Sequence, residues 1–240
     1  AASDVYKRQP PLRRSPFIRD MERITSSRAY RITYIGVPLV VAGLVVQERD
    51  HGFRHLRNDY VPSFRFRYDD YLQYAPAALM LGLKIGGVRG RSSWGRMLVS
   101  DAFSVALMAG AVNSLKYTCR MPRPDGSNNK SFPSGHTATA FMAATMLHKE
   151  YGGRSPWYSI AGYSMATVTG VSRMLNNKHW LSDVLVGAGI GILSVELGYL
   201  FADLIFKDKG LTEFEQDFFY DRYCRPSFFG MEVSTEVVMG

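Results

Sequence analysis

WLSDVLVGAGIGILSVELGYLFADLIF, residues 180–206, is apolar over most of its length and carries Asp183 and Glu196 inside it. A run of this length is expected to be a helix rather than a strand. Gly187 and Gly191 have the four-residue spacing that lets helices approach closely in membranes. Glycine in any tightly packed helix pair would read the same way. Moving outward, further apolar segments of helical length cover Ile32–Gln47, Tyr74–Val88 with Lys84 inside, Met97–Leu115 with Asp101 and Asn113, His136–His148 and Pro156–Val171. A polar connection rich in charge and aromatics joins the first pair (Glu48–Asp70), and a Pro/Gly/Asn-rich loop covers Met121–Pro133. The expected fold is all-α: a six-helix bundle over residues 32–206, transmembrane, with a site at one end. A polar, basic tail (1–31) precedes it. A tail (207–240) follows, whose alternation of Met231, Val233, Thr235 and Val237 with Glu232, Ser234 and Glu236 reads as a short strand. Gly82 and Gly86 repeat the four-residue glycine spacing.

Spanning a bilayer takes about 17–25 mostly apolar residues, and an internal charge is costly in lipid unless it faces the bundle interior. Several segments sit at or below that length, so a soluble bundle stays beside the membrane reading. Charge gives a check on topology. The N-terminal arginines, and Arg89, Arg91 and Arg96 after the second segment, would stay on the cytoplasmic side. Counting spans from there brings 116–135 and 172–179 to the same outer face. The expected location is a multi-pass inner (plasma) membrane, with the site facing the periplasm or exterior; the alternative is a soluble periplasmic protein.

The 240 residues suffice for one substantial core. A hydrophobic share of 46% with a mean hydropathy of -0.11 is modest for a membrane protein. The net charge of +8 suits an anionic surface, an anionic substrate or nucleic acid. No basic run carries an aromatic ladder, so no nucleic acid is expected. Cys119 and Cys224 are too few for a disulfide framework or a zinc site. Residue 1 is not Met, Met21 is a candidate start, and no signal-peptide apolar region precedes Arg31; both ends read as incomplete.

Three clusters carry chemistry: Lys116 with Arg123-Pro124, Pro133-Ser134-Gly135-His136, and Ser172-Arg173 with His179 and Asp183. Singly, each has a bland reading. A Lys or Arg at a helix end snorkels, a Pro-Ser-Gly run makes a turn, and His179 with Asp183 at i, i+4 is a surface helix pair. Together they combine Lys116, Arg123 and Arg173 with His136 and His179, and with a carboxylate next to the second of these. A His–Asp pair can hold a metal, but the neighbouring cations would repel it, and no metal is assigned. A tetrahedral phosphate fits better, because Arg presents a fork to its oxygens and Lys a point charge. Ser134 and Gly135 precede a helix, whose N-terminal N–H groups favour an anion. Asn177 is placed to cap the helix carrying His179.

The order Lys-x6-Arg-Pro, Pro-Ser-Gly-His, Ser-Arg-x5-His-x3-Asp resembles the signature of the type 2 phosphatidic acid phosphatase and vanadium haloperoxidase superfamily, and every fixed position is present. That superfamily contains membrane lipid phosphatases, soluble acid phosphatases and vanadium haloperoxidases. The signature spans residues 116–183, and the helical pattern extends the likeness to 32–206. The resemblance implies a phosphoric ester hydrolase without cofactor, acting on a lipid phosphate or diphosphate through a phosphohistidine. Its alternative is a broad-specificity acid phosphatase acting on small phosphoesters. By the same resemblance His179 is the nucleophile, oriented by Asp183, and His136 the general acid and then base. Lys116, Arg123, Ser134, Gly135 and Arg173 would hold the phosphate. A vanadate-holding haloperoxidase and a non-catalytic scaffold are rivals; the shortness of the chain argues against the first and the complete residue set against the second. No protein partner is identifiable, and the specificity elements are expected in 47–73.

Overall fold

The structure, a computed structural model, describes residues 16–207 and 209–211. The alternating run at 231–237 lies outside them. The described residues from 32 onward form one compact unit, and 16–31 belong to another. Helices α1 (Pro16–Ser26) and α2 (Arg28–Thr33) come first. Helices α3 (Gly36–Val46), α4 (Asp50–Tyr60), α5 (Asp69–Leu72), α6 (Ala75–Ile85), α7 (Trp94–Cys119), α8 (Gly135–Tyr151), α9 (Pro156–Leu175) and α10 (Leu181–Phe206) follow. Among the described residues the β feature present is an isolated bridge between Ser92 and Leu211. The fold is all-α, and the six apolar segments appear as α3, α6, α7, α8, α9 and α10.

Local chemistry sets the ends of these helices. Ser134 caps α8 by accepting from the Thr137 N–H, and Ser155 caps α9 in the same way from Trp157, ahead of Pro156 in the first turn. After α7 the chain turns on Arg120, whose φ of 46° breaks the helix before the loop that carries Arg123.

Helix α10 is the buried centre, packed against α3, α7 and α8. Its glycines make this packing close. A Cβ on Gly187 would lie 2.6 Å from the Ser134 carbonyl, and one on Gly191 would lie 2.4 Å from the Ala138 carbonyl, so both face the α8 backbone. Gly189 meets the Gly36 carbonyl of α3 at 2.7 Å in the same test. The expectation for Gly187 and Gly191 holds. Gly82 and Gly86 do otherwise: a Cβ on Gly82 meets nothing within 4 Å, and one on Gly86 meets its own helix. Four-residue spacing marks a contact only where a second backbone lies opposite. Gly187→Ala is therefore expected to destabilise by about 1–3 kcal/mol, since neither backbone can give way without moving α8. Gly82→Ala should be neutral or slightly stabilising through helix propensity. Thermal unfolding in detergent compares the two.

The polar connection Glu48–Asp70 is not a loop. It folds into α4 and α5, joined by an extended segment at 64–67. Its helical face was hidden in the sequence because polar anchors, not an apolar stripe, hold it to the bundle. Buried Asp50 accepts from the Ser182 N–H at 3.0 Å and from the Ser182 hydroxyl. Arg57 Nε donates to the Leu175 carbonyl at 2.8 Å, and Tyr68 and Ser172 share a hydroxyl hydrogen bond of 2.6 Å.

The far end of α10 is tied by charge. Arg91 and Arg96, both buried, pair with Asp203 at 3.0 and 2.5 Å, and Arg96 also donates to the Lys207 and Lys209 carbonyls. Those arginines, counted above as a surface charge bias, are thus taken up inside the fold. The cluster stands 20 residues along α10 from Asp183, about 30 Å at 1.5 Å per residue. Between the two ends the outward faces are apolar. Val41, Leu44 and Val45 of α3, Leu98 and Val105 of α7, and Ile160 and Val168 of α9 are all exposed. Helices α7 and α10 are long and apolar enough to cross a membrane.

Candidate active site

The site lies where α7, α8, α9 and α10 bring their motif-bearing ends together. Asp183, in the first turn of α10 and fully buried, is its hub. Its Oδ2 accepts from the Trp180 N–H at 2.8 Å, from the Ser131 hydroxyl, and from His179 Nδ1 at 3.4 Å, while Oδ1 has no hydrogen-bond partner among the described residues. The backbone carbonyl of Asp183 accepts from the Ser134 N–H at 3.0 Å, which joins the α8 and α10 ends.

His179 is not on the helix. It stands in the turn before α10, whose cap position is Trp180, and Asp183 rather than Asn177 satisfies the end N–H. Asn177 instead adopts φ 58° in the turn after α9. The reading of Asn177 as a helix cap is therefore corrected: the loop spans residues 176–180, too long for a side chain at 177 to reach the first turn of α10. The imidazole of His179 is 3% exposed, and burial pushes its pKa down to about 4 despite the opposing pull of Asp183. The charges of Lys116 and Arg173 contribute to that lowering. The ring is thus neutral at neutral pH. With Nδ1 turned to Asp183, Nε2 is the nitrogen left with a lone pair.

The cations converge on the same place. Lys116, at the C-terminal end of α7, donates to the Pro133 carbonyl at 2.8 Å and the Lys130 carbonyl at 3.0 Å. A Cβ on Gly135 would touch Lys116 Cε at 3.8 Å, so α8 begins against this ammonium. Arg123 and Arg173 act electrostatically on each other and on Lys116. Both guanidinium groups hold a buried Nε with no hydrogen-bond partner among the described residues. Ser134, by contrast, is occupied: its hydroxyl faces Thr137 Oγ1 at 2.9 Å and accepts from the Thr137 N–H.

Sequence reasoning missed a pair of carboxylates. Asp69, 1% exposed, takes Arg173 Nη1 at 2.8 Å. Asp70 accepts from His136 Nε2 at 2.9 Å and lies 3.5 Å from Arg173. Asn176 reaches Asp69 at 3.3 Å. These acids come from α5, far along the chain from the motifs, and no local spacing announces them. Ser131 was missed for a related reason, since its tie to Asp183 exists only once the loop has folded. The structure therefore brings Lys116, Arg123, Ser134, Gly135, His136, Arg173, His179 and Asp183 into one neighbourhood and adds Ser131, Asp69 and Asp70. A neutral buried imidazole beside unpartnered guanidinium N–H groups suits a tetrahedral anion and its attack by nitrogen.

A helical bundle with such a cation-lined histidine site defines a class, and comparison with known proteins agrees. Residues 98–206 match the PAP2 superfamily. A lipid A 1-phosphatase of Porphyromonas gingivalis is 53% identical over 173 residues, 72% of this chain and 39% of that protein. The chain thus spans 39% of that relative's length. Among solved structures, Aquifex aeolicus LpxE is similar at 24% identity and a TM-score of 0.47, over 60% of this chain and 92% of the other. A transmembrane PAP2 type phosphatidylglycerolphosphate phosphatase from Bacillus subtilis is similar at 17% identity and a TM-score of 0.47, over 75% and 100%.

Proposed function

We propose that this protein is a membrane phosphatase that hydrolyses a lipid phosphate or diphosphate through a phosphohistidine on His179. The observation that carries the reading is the buried, neutral His179 held toward Asp183 among Lys116, Arg123 and Arg173, the two arginines each keeping a buried Nε with no hydrogen-bond partner among the described residues. His179 Nε2 attacks phosphorus and forms the N–P bond as the P–O bond to the leaving alcohol breaks. His136 gives that alcohol its proton, then takes one from the water that displaces phosphate from nitrogen. Lys116, Arg123, Arg173 and the Gly135 N–H stabilise the charge gathering on the phosphoryl oxygens. Asp70, at 2.9 Å, orients the His136 ring.

A lipid substrate is supported by the apolar outward faces of α3, α7 and α9, which suit acyl chains better than water. It is supported as well by the 53% identity to a lipid A 1-phosphatase, which makes a glycolipid phosphate the first substrate to try. The proposal includes a multi-pass placement with the site on the outer face, which these apolar faces support only in its membrane part. The test is inorganic phosphate release in detergent from a panel of lipid and soluble phosphates. Turnover of lipid phosphates supports the proposal, and turnover of soluble esters alone, by a protein that stays soluble without detergent, refutes the lipid reading.

The acid limb of kcat/KM gives a second check. Below a pKa of about 4 the His179 ring gains a proton and loses its nucleophilic lone pair. Activity should rise with pH through about 4 and then level off on that side, well below the pH 6.5 of an ordinary histidine. An acid limb centred near 6.5 would mean that His179 is not buried as described.

A further inference from the structure

We infer that the cavity beside Arg173 receives a second anionic group of the substrate headgroup, a phosphate or a carboxylate, held between Arg65 and Arg67. This inference rests on the phosphatase reading above. The cavity has a volume of about 550 Å³, with Arg173 and Asp69 in its lining and the 64–67 segment along one wall. A volume in that range takes a small-molecule headgroup, more than a lone phosphoryl group needs.

Charge accounting around the cavity leaves an excess of positive charge. Arg173 is balanced by Asp69 at 2.8 Å, and Lys178 by Asp125 at 2.6 Å. Asp70 faces His136 and Arg173. The Arg57 donors go to the Leu175 carbonyl, the Asn58 side chain and the Phe64 carbonyl, none of which is a carboxylate. Arg65 and Arg67 make no ion pair and no side-chain hydrogen bond among the described residues. A neutral headgroup would cover these guanidinium groups without replacing the water on them. An anion would meet planar forks suited to paired oxygens.

The arginines are also held in place from behind. Asn176 grips residue 66 in both directions, its Oδ1 accepting from the Phe66 N–H at 3.1 Å and its Nδ2 donating to the Phe66 carbonyl at 2.7 Å. Phe64 and Phe66 pack edge to face at 4.9 Å. The backbone of 65–67 is thereby tied to the end of α9, close to Arg173, which lines the cavity and is also one of the cations assigned to the phosphate being cleaved. Freely solvated arginines on a mobile loop would have no such clamp, and little entropy would be saved on binding.

The experiment compares two amphiphiles with the same acyl chains in nonionic detergent micelles. One carries only the cleavable phosphate, and the other carries an additional phosphate on its headgroup. The wild-type protein is expected to prefer the second through a lower KM. In the Arg65→Ala/Arg67→Ala protein that preference in kcat/KM should fall about tenfold or more, with kcat nearly unchanged. An equal loss on both substrates, or no loss on either, overturns the inference. So does a preference that disappears when phosphatidylserine is added to the micelles, because the arginines would then be reading surface charge. If the wild-type protein hydrolyses neither amphiphile nor any other lipid phosphate, the parent reading fails instead, and the two failures are told apart by that control.

Discussion

Replacing His179 with alanine is expected to remove phosphate release from every substrate, by roughly 10⁴-fold or more, because no other group is placed to attack phosphorus. The fold should survive. Among the described residues the imidazole makes one hydrogen bond, a long one of 3.4 Å to Asp183, while the Ser131 hydroxyl and the Trp180 N–H continue to hold that carboxylate. Unfolding temperature in detergent should therefore shift far less than activity does. Brief mixing of the wild-type protein with a phosphate-labelled substrate should leave an acid-labile, base-stable label that the variant lacks. A His179→Ala protein with wild-type turnover, or a wild-type protein with no such label during turnover, would refute the nitrogen-nucleophile mechanism.

The second large effect separates the arginines. Arg123→Ala should cost about 3–4 kcal/mol of transition-state stabilisation, some 10²–10³-fold in kcat, with little change in stability. The Arg123 side chain makes no ion pair among the described residues, so its removal strands no carboxylate. Arg173→Ala should lose a similar factor in kcat and, in addition, about 3–5 kcal/mol of stability. The reason is Asp69, 1% exposed and paired to Arg173 at 2.8 Å, which would be left as a buried charge without its partner. Denaturant or thermal unfolding distinguishes the variants, and Arg173→Ala/Asp69→Asn should recover much of the stability without the activity. Equal stability loss in both single variants would show that the Asp69 pair does not carry this weight.

Much of the helical framework could be read from apolar run length alone, since α3, α6, α7, α8, α9 and α10 each fall on one mostly apolar segment of helical length. Helix α4 could not. Its attachment depends on Asp50 reaching Ser182 and Arg57 reaching Leu175, contacts between residues more than a hundred positions apart. The two glycine pairs make the same point, because identical spacing at Gly82/Gly86 and Gly187/Gly191 has opposite consequences, depending on whether another backbone lies across from it.

For this protein the amino-acid order alone singled out the proposed reacting set. Residue type and spacing at Lys116, Arg123, His136, Arg173, His179 and Asp183 specify chemistry that few other arrangements can perform. Tertiary structure decided the state of that set: that His179 is buried and neutral, that Ser134 is committed to its helix end, and that Asp69 and Asp70 face the cations. The physical reason is that protonation and pairing depend on burial and on which distant groups share a low-dielectric space. Both are properties of packing rather than of neighbours along the chain.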